Sequence, residues 1–273
     1  MNLARGMTLS AAATAFDRVA GSYDELFTST AIGRAQRNQV WPKLLAFFAP
    51  RSRILELNCG TGEDARFLAN RGRSVVACDA SMAMIEIAKR REQEDRPLAN
   101  LEYLHLATED LARLFDRRPF DGGFSNFSGL NCLAELKPVA RNLAGLVKPG
   151  GRVLLCLWSR VCWVEMLWYL FHGQLKKAVR RLSKRATARL GDMTIPVSYP
   201  SVRSLRLSFS PWFELRARCA VGLFVPPSYV EQSMSKHEKL LGLLEWLDRE
   251  CADWPILRDA GDHMLLEFVR CDP

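Results

Sequence analysis

Glu56-Leu57-Asn58-Cys59-Gly60-Thr61-Gly62 joins the apolar run Arg53 to Leu57 to a helix-like stretch, Gly62 to Asn70. Glycine at such a junction lets the backbone turn tightly and pass close to a ligand. The next apolar run, Ser74 to Cys78, is followed by Asp79, 19 positions after Gly60. A carboxylate at that place can accept both hydroxyl hydrogens of an adenosine ribose.

Outward from this loop, apolar runs alternate with helical ones. Ser81 to Arg91 reads as a helix with Ser81 as its N-cap, and Leu101 to Leu106 and Phe120 to Phe127 as the third and fourth strands. Leu133 to Val147 reads as a helix stopped by Pro149-Gly150-Gly151, and Val153 to Leu157 as a fifth strand. After a break the rhythm resumes with a helix at Val202 to Ser210, a strand at Phe213 to Leu223, a helix at Lys236 to Glu250 and a strand at Met264 to Cys271. The expected fold is α/β: a Rossmann-like, doubly wound, seven-stranded sheet with an N-terminal helical cap and an inserted helical lid. The expected division is a cap over 1–50, a core over 51–158, an insertion over 159–200 and the rest of the sheet over 201–273.

Two ligands compete for the loop. Gly60, Gly62 and Ala65 match the G-x-G-x-x-A pattern of nicotinamide dinucleotide sites. Glu56 argues against it, because a carboxylate beside the loop repels a pyrophosphate. S-adenosylmethionine puts an ammonium and a sulfonium there instead, and both favour acidic surroundings.

The loop resembles the first motif of class I methyltransferases. Cys78-Asp79-Ala80-Ser81-Met82-Ala83-Met84 resembles their second motif, and Val147-Lys148-Pro149-Gly150-Gly151-Arg152-Val153 the turn before their fifth strand. Upstream, Phe16-Asp17-x-x-Ala20-x-x-Tyr23-Asp24 resembles the N-terminal helix of the ubiquinone and glycine methyltransferase group. The resemblance covers residues 14 to 157 and implies a site for S-adenosylmethionine. Asp79 would hold the ribose, Ala80 and Met84 would pack on the adenine, and Asn58, Cys59, Gly60 and Gly62 would line the methionine portion with Glu56 beside them. Tyr23 would close over the sulfonium, and Arg34, or Arg37 one turn on, would pair with the carboxylate. Where many members carry an aspartate after the third strand, this chain has Ala107-Thr108-Glu109. Glu109 or a backbone carbonyl would then meet the adenine amino group, and the Thr108 N–H its ring. Asn126, at the end of the fourth strand, would face the cofactor.

Methyl transfer asks for positioning and exclusion of water more than for a catalytic group, so no catalytic residue is assigned; His105, His172 and His263 are the candidate bases. No Asn/Asp-Pro-Pro-Tyr/Phe follows the fourth strand, which weighs against an adenine or glutamine amino group as acceptor. The eight cysteines include no C-x-x-C pair, so reduced core thiols are expected and no metal. Leu9 to Ala15 is too polar for a leader, and Val161 to Phe171, holding Glu165, is too short to span a bilayer. A cytoplasmic protein is expected.

The net charge of +8 is concentrated: Lys176, Lys177, Arg180, Arg181, Lys184, Arg185 and Arg189 account for seven of it, with no acid among them. On a helical wheel Lys176, Lys177, Arg180, Arg181, Lys184 and Arg185 face away from Leu175, Val179, Leu182, Ala186 and Leu190, which predicts a basic amphipathic helix beside the aromatic run Trp163 to Phe171. Three readings of 161–190 stay open: a lid packed on the core, a membrane-surface element, or a contact for nucleic acid, which no recognised RNA-binding motif supports. The expected activity is methylation of a small, lipophilic or aromatic acceptor. The alternatives are an RNA methyltransferase using the helix expected over 176–189, and an NAD(P)-dependent oxidoreductase.

Overall fold

The computed structural model describes residues 10–272. The first nine residues of the expected cap, with Leu9 of the run weighed as a leader, lie outside the described residues.

Ser10 caps α1 (Ala11–Tyr23) by accepting the Ala13 N–H at 3.1 Å. A π-helical turn, Asp24–Thr28, leads to α2 (Ala31–Phe47), capped by Thr30. The core then alternates through β1 (Arg53–Leu57), α3 (Glu63–Ala69), β2 (Ser74–Asp79), α4 (Met82–Asp95), β3 (Leu101–His105), β4 (Phe120–Ser125), α5 (Lys137–Leu146) and β5 (Val147–Trp158). Short 3-10 turns at Thr108–Leu114 and Gly129–Cys132 follow β3 and β4. Then come α6 (Trp163–Phe171), α7 (Leu175–Ala178), β6 (Arg185–Leu190), β7 (Met193–Ser198), α8 (Val202–Phe209), β8 (Phe213–Val221), α9 (Glu231–Met234), α10 (Glu238–Cys251) and β9 (His263–Arg270).

Seven strands form one sheet in the order β3-β2-β1-β4-β5-β9-β8. β9 runs antiparallel to both neighbours and the other observed pairings are parallel. Period-2 alternation sends Leu55, Val76, Val153 and Leu266 to the face covered by α5 and α8, and Ile54, Val75, Leu154 and Leu265 to the face covered by α2, α3 and α4. The expected α/β doubly wound, seven-stranded fold is the one observed, with Ser81 capping α4 as read from the sequence.

The insertion departs from expectation. The basic amphipathic helix over 176–189 does not exist. α7 is a single turn, Arg180–Leu182 is a 3-10 turn, and Arg185–Leu190 pairs antiparallel with Met193–Ser198. The physical reason lies in Arg185-Ala186-Thr187-Ala188-Arg189-Leu190, which also alternates with period 2, and in the Gly191-Asp192 turn that follows, with Gly191 at φ 59°. Ala186, Ala188 and Leu190 face Ala15 and Phe16 of α1 together with Ile195 and Val197. The hairpin therefore packs on the N-terminal helix. Among the described residues, no helix is long and apolar enough to cross a membrane.

Candidate functional site

β2 and β4 flank β1, so chain order reverses at β1 and a crevice opens at the carboxyl ends of these strands. α1 roofs that crevice: Ala12, Ala13, Phe16 and Tyr23 line the same cavity as Glu56, Asn58, Asp79 and Asn126 from the strand ends.

The floor is held by unusual backbone. Asn58 adopts a left-handed conformation (φ 55°), which asparagine tolerates better than most residues. Its side chain bridges two strand ends, donating to Thr108 Oγ1 and accepting from Ser125 Oγ, each at 3.2 Å. Gly62 (φ 80°) caps α3 where any Cβ would collide with the Tyr103 hydroxyl. Asp79 accepts from the Gly60 N–H at 2.9 Å and the Ser81 N–H at 2.8 Å. Burial lifts its pKa and these two donors oppose the lift. One carboxylate thus fixes the glycine loop against the start of α4 and keeps further lone pairs for a ligand.

The inner wall is charged and buried. Asp64 accepts from Arg37 Nε at 3.1 Å, Trp41 Nε1 at 2.7 Å and Asn126 Nδ2 at 2.8 Å. Arg37 lies over the rings of Phe27 and Phe127, and its Nη1 is buried with no partner among the described residues. Glu56 is likewise buried, with Oε2 unpartnered. Burial first, then the neighbouring Asp64, push its carboxyl well above the usual range. Burial also pushes the Tyr23 phenol up to about 12 against the pull of Arg37, so it is protonated at neutral pH.

Two aspartates fasten the roof. Asp17 accepts from Ser81 Oγ at 2.6 Å and from the Ala83 N–H at 3.1 Å, tying α1 to the N-terminus of α4. Asp24 accepts from Thr61 Oγ1 of the glycine loop and pairs with Arg91. The spacing in Phe16-Asp17-x-x-Ala20-x-x-Tyr23-Asp24 thereby gains a physical meaning. Phe16 and Tyr23 enter the cavity, Ala20 packs inward, and each aspartate clamps one wall.

Of the residues expected at the site, Tyr23, Glu56, Asn58, Cys59, Gly60, Asp79, Ala80, Met84, Thr108, Glu109 and Asn126 line the cavity. Gly62 and Ala107 do not; they set the turns that position their neighbours. Arg34 is exposed and donates to the Ser29 carbonyl, whereas Arg37, the alternative one turn on, is the arginine in the cavity. Helical phase decides this, because Arg37 shares the buried face with Val40 and Leu44. Sequence reading missed Asp64 and Phe16. Asp64 carried a signal, an acid in the first turn of the helix after the loop. Among the described residues, no histidine lines the cavity. His105 contacts the Ala80 carbonyl, His172 is exposed, and His263 packs edge-on behind Phe127 at 5.7 Å. Among the described residues, one cluster has metal-ligand chemistry, Cys162 with Glu165 and Asp262. The Arg181 guanidinium bonds both carboxylates, at 2.5 and 2.7 Å, and so already supplies their counter-charge.

Residues 54–151 match the family model described as a methyltransferase domain. The chain is similar to a demethylmenaquinone methyltransferase of Clavibacter sepedonicus, at 34% identity over 53% of this chain and 56% of the relative. It is also similar to the tRNA 5-carboxymethoxyuridine methyltransferase of Escherichia coli K12, at 28% identity over the same two shares. The chain thus spans a little over half the length of these curated relatives. Among solved structures, the CcbJ methyltransferase of Streptomyces caelestis superposes with a TM-score of 0.62 at 15% identity, over 95% of this chain and 98% of that one, a likeness of fold. Over residues 54–151 the chain thus resembles a methyltransferase domain, and the superposition adds a likeness of fold.

Proposed function

We propose that the chain transfers a methyl group from S-adenosylmethionine to a small, lipophilic or aromatic acceptor. One observation carries the cofactor half of this reading. Two buried polar atoms of opposite character, Glu56 Oε2 and Arg37 Nη1, have no partner among the described residues and belong to side chains lining one cavity. Buried groups of this kind are costly unless a ligand satisfies them. An amino acid's ammonium and carboxylate satisfy both, and a pyrophosphate does not. Asp79 has lone pairs for ribose hydroxyls, and Ala80 and Met84 offer an apolar wall for a purine.

When bound, S-adenosylmethionine would supply an electrophilic methyl group: an electron pair of the acceptor would form the new bond to that carbon, the sulfur would keep the electrons of the bond broken, and any proton the acceptor sheds would pass to bulk solvent once the product leaves. The chain's own residues hold and shield. Arg37 and Glu56 anchor the amino-acid end. Tyr23 and Phe127 exclude water from the reacting end. With its phenol raised to about 12, Tyr23 acts as a wall and a hydrogen-bond donor rather than as a base.

The acceptor class rests on the apolar lining given by Ala12, Ala13, Phe16, Phe127 and Leu133, and on the quinone named in the demethylmenaquinone methyltransferase relatives. The test is calorimetry with S-adenosylhomocysteine and, separately, NAD and NADP, followed by methyl transfer to a demethylmenaquinone analogue and to tRNA. Micromolar binding of S-adenosylhomocysteine is expected, weakened by about 2–4 kcal/mol in Asp79→Ala. Binding of a nicotinamide dinucleotide in its place overturns the cofactor reading; methylation of tRNA alone overturns the acceptor reading.

A further inference from the structure

Helix α6 is built inside out. Its one charged residue, Glu165, is 1% exposed, while Leu167, Trp168, Leu170 and Phe171 face outward, Phe171 at 85% exposure. Glu165 is turned in by two guanidiniums: Arg180 donates to it through Nε at 3.0 Å, and Arg181 through Nε at 3.0 Å and through Nη2. The apolar surface continues past the helix in Leu175, Val179 and Leu182, each more than two-fifths exposed. Contiguous apolar surface of this kind on a folded chain marks a contact site.

Around it stand exposed Lys176, Lys177, Lys184 and Arg185, none within ion-pair distance of a carboxylate among the described residues. No acid occurs in the sequence between Glu165 and Asp192. Arg180 and Arg181 do not share in this rim, since both are committed to Glu165.

We infer that the α6–α7 surface is a docking face for an anionic lipid bilayer, with Leu167, Leu170 and Phe171 entering the headgroup–acyl boundary and the lysines resting on lipid phosphates. The occupant follows from charge. A second copy docked by two-fold symmetry would bring these lysines against their own counterparts, with no acid nearby in the sequence to meet them. An anionic membrane matches both parts, the apolar crest and its basic rim. The internal network joins this face to the cavity. Glu165 holds Arg181, Arg181 holds Asp262, and the adjoining His263 packs on Phe127 of the cavity wall. The inference rests on α6 itself and is independent of the acceptor reading.

The test is cosedimentation of the full chain with vesicles of phosphatidylcholine alone and with added phosphatidylglycerol, at low and high salt, with light scattering of the protein without lipid. Wild type is expected to bind the phosphatidylglycerol vesicles and to be released by salt. Neutralising Lys176, Lys177 and Lys184 to Gln is expected to weaken binding about a hundredfold. Leu170→Ser with Phe171→Ser is expected to weaken it at least about tenfold while leaving the melting temperature in place, since both side chains are exposed. Absence of binding to phosphatidylglycerol vesicles overturns the inference, as does undiminished binding by the serine variant. Concentration-dependent dimers that Phe171→Ser abolishes, in a protein that ignores vesicles, overturn it in favour of self-association. Any of these outcomes leaves cofactor binding unaffected.

Discussion

Thr61 Oγ1 donates to Asp24 Oδ1 at 2.7 Å, so the loop that would receive the methionine end of the cofactor is bonded to the turn that ends α1. The other oxygen of Asp24 meets Arg91 of α4 at 2.7 Å. One carboxylate therefore couples the roof to two parts of the floor. In Asp24→Ala the sheet is expected to stay folded while the roof loosens. S-adenosylhomocysteine affinity should fall by about 1.5–3 kcal/mol, the scale of a hydrogen bond to a charged group. Hydrogen exchange over α1 should quicken, and exchange in β1 and β4 should not. Uniformly faster exchange would show that Asp24 holds the whole fold instead.

Glu56 is expected to give cofactor binding a pH dependence. Burial holds its carboxyl well above the usual range in the free protein, and an ammonium beside it would lower that pKa. Binding then releases a proton, and affinity rises with pH until the free-protein pKa is passed. Calorimetry in buffers of differing ionisation enthalpy should show the release in wild type and its loss in Glu56→Gln, which should also bind more weakly.

Arg181 is expected to be the most sensitive residue of the insertion. Its removal leaves Asp262 buried without its guanidinium and Glu165 with Arg180 alone, at a cost of about 3–5 kcal/mol in Arg181→Met. Burial raises the Asp262 pKa, but His263 and Arg181 outweigh it and hold the carboxyl below the usual range. A depressed carboxylate stabilises the fold above its unfolded pKa and loses that contribution as pH falls through the folded one. The melting-temperature gap between wild type and Arg181→Met should therefore be wide at neutral pH and narrow in strong acid.

Tyr23 separates shape from ionisation. With the phenol at about 12, the pH–rate profile should show no limb near the ordinary tyrosine value of about 10. Tyr23→Phe should keep most of the turnover, and Tyr23→Ala should lose turnover by a larger factor than it loses stability. Equal losses in Tyr23→Phe and Tyr23→Ala would assign the hydroxyl a direct part in the reaction.

The sheet was legible because its signal is local. Alternation in Arg53–Leu57 and Ser74–Asp79, the glycines between them and Asp79 are all read from neighbouring residues. The floor of the cavity was legible for the same reason. The long-range partnerships were not. Nothing near Asp64 announces Arg37, Trp41 and Asn126, which lie 27, 23 and 62 positions away. The choice of Arg37 over Arg34 depended on the phase of α2, which Pro42 and an even spread of apolar residues obscure. The basic segment misled for a different reason. Its residues satisfy both a 3.6-residue and a two-residue period, and packing of the hairpin on α1 decided between them. Arg180 and Arg181 drew attention as surface charge, and Glu165, the acid that turns them inward, stands 15 and 16 positions earlier.

Among the described residues β8 pairs with β9 alone, and β9 lies between it and β5 although it is the later of the two in the chain. During synthesis β1 to β5 can therefore join in the order in which they emerge, while β8 waits, made but without a hydrogen-bonding neighbour. Arrival of His263–Arg270 supplies two ladders at once, one to each side. A ribosome stalled between residues 221 and 263 would hold a five-stranded half-molecule with an open edge at β5 and an unpaired strand beside it. That is the moment at which this chain is most exposed to pairing with a neighbour's edge.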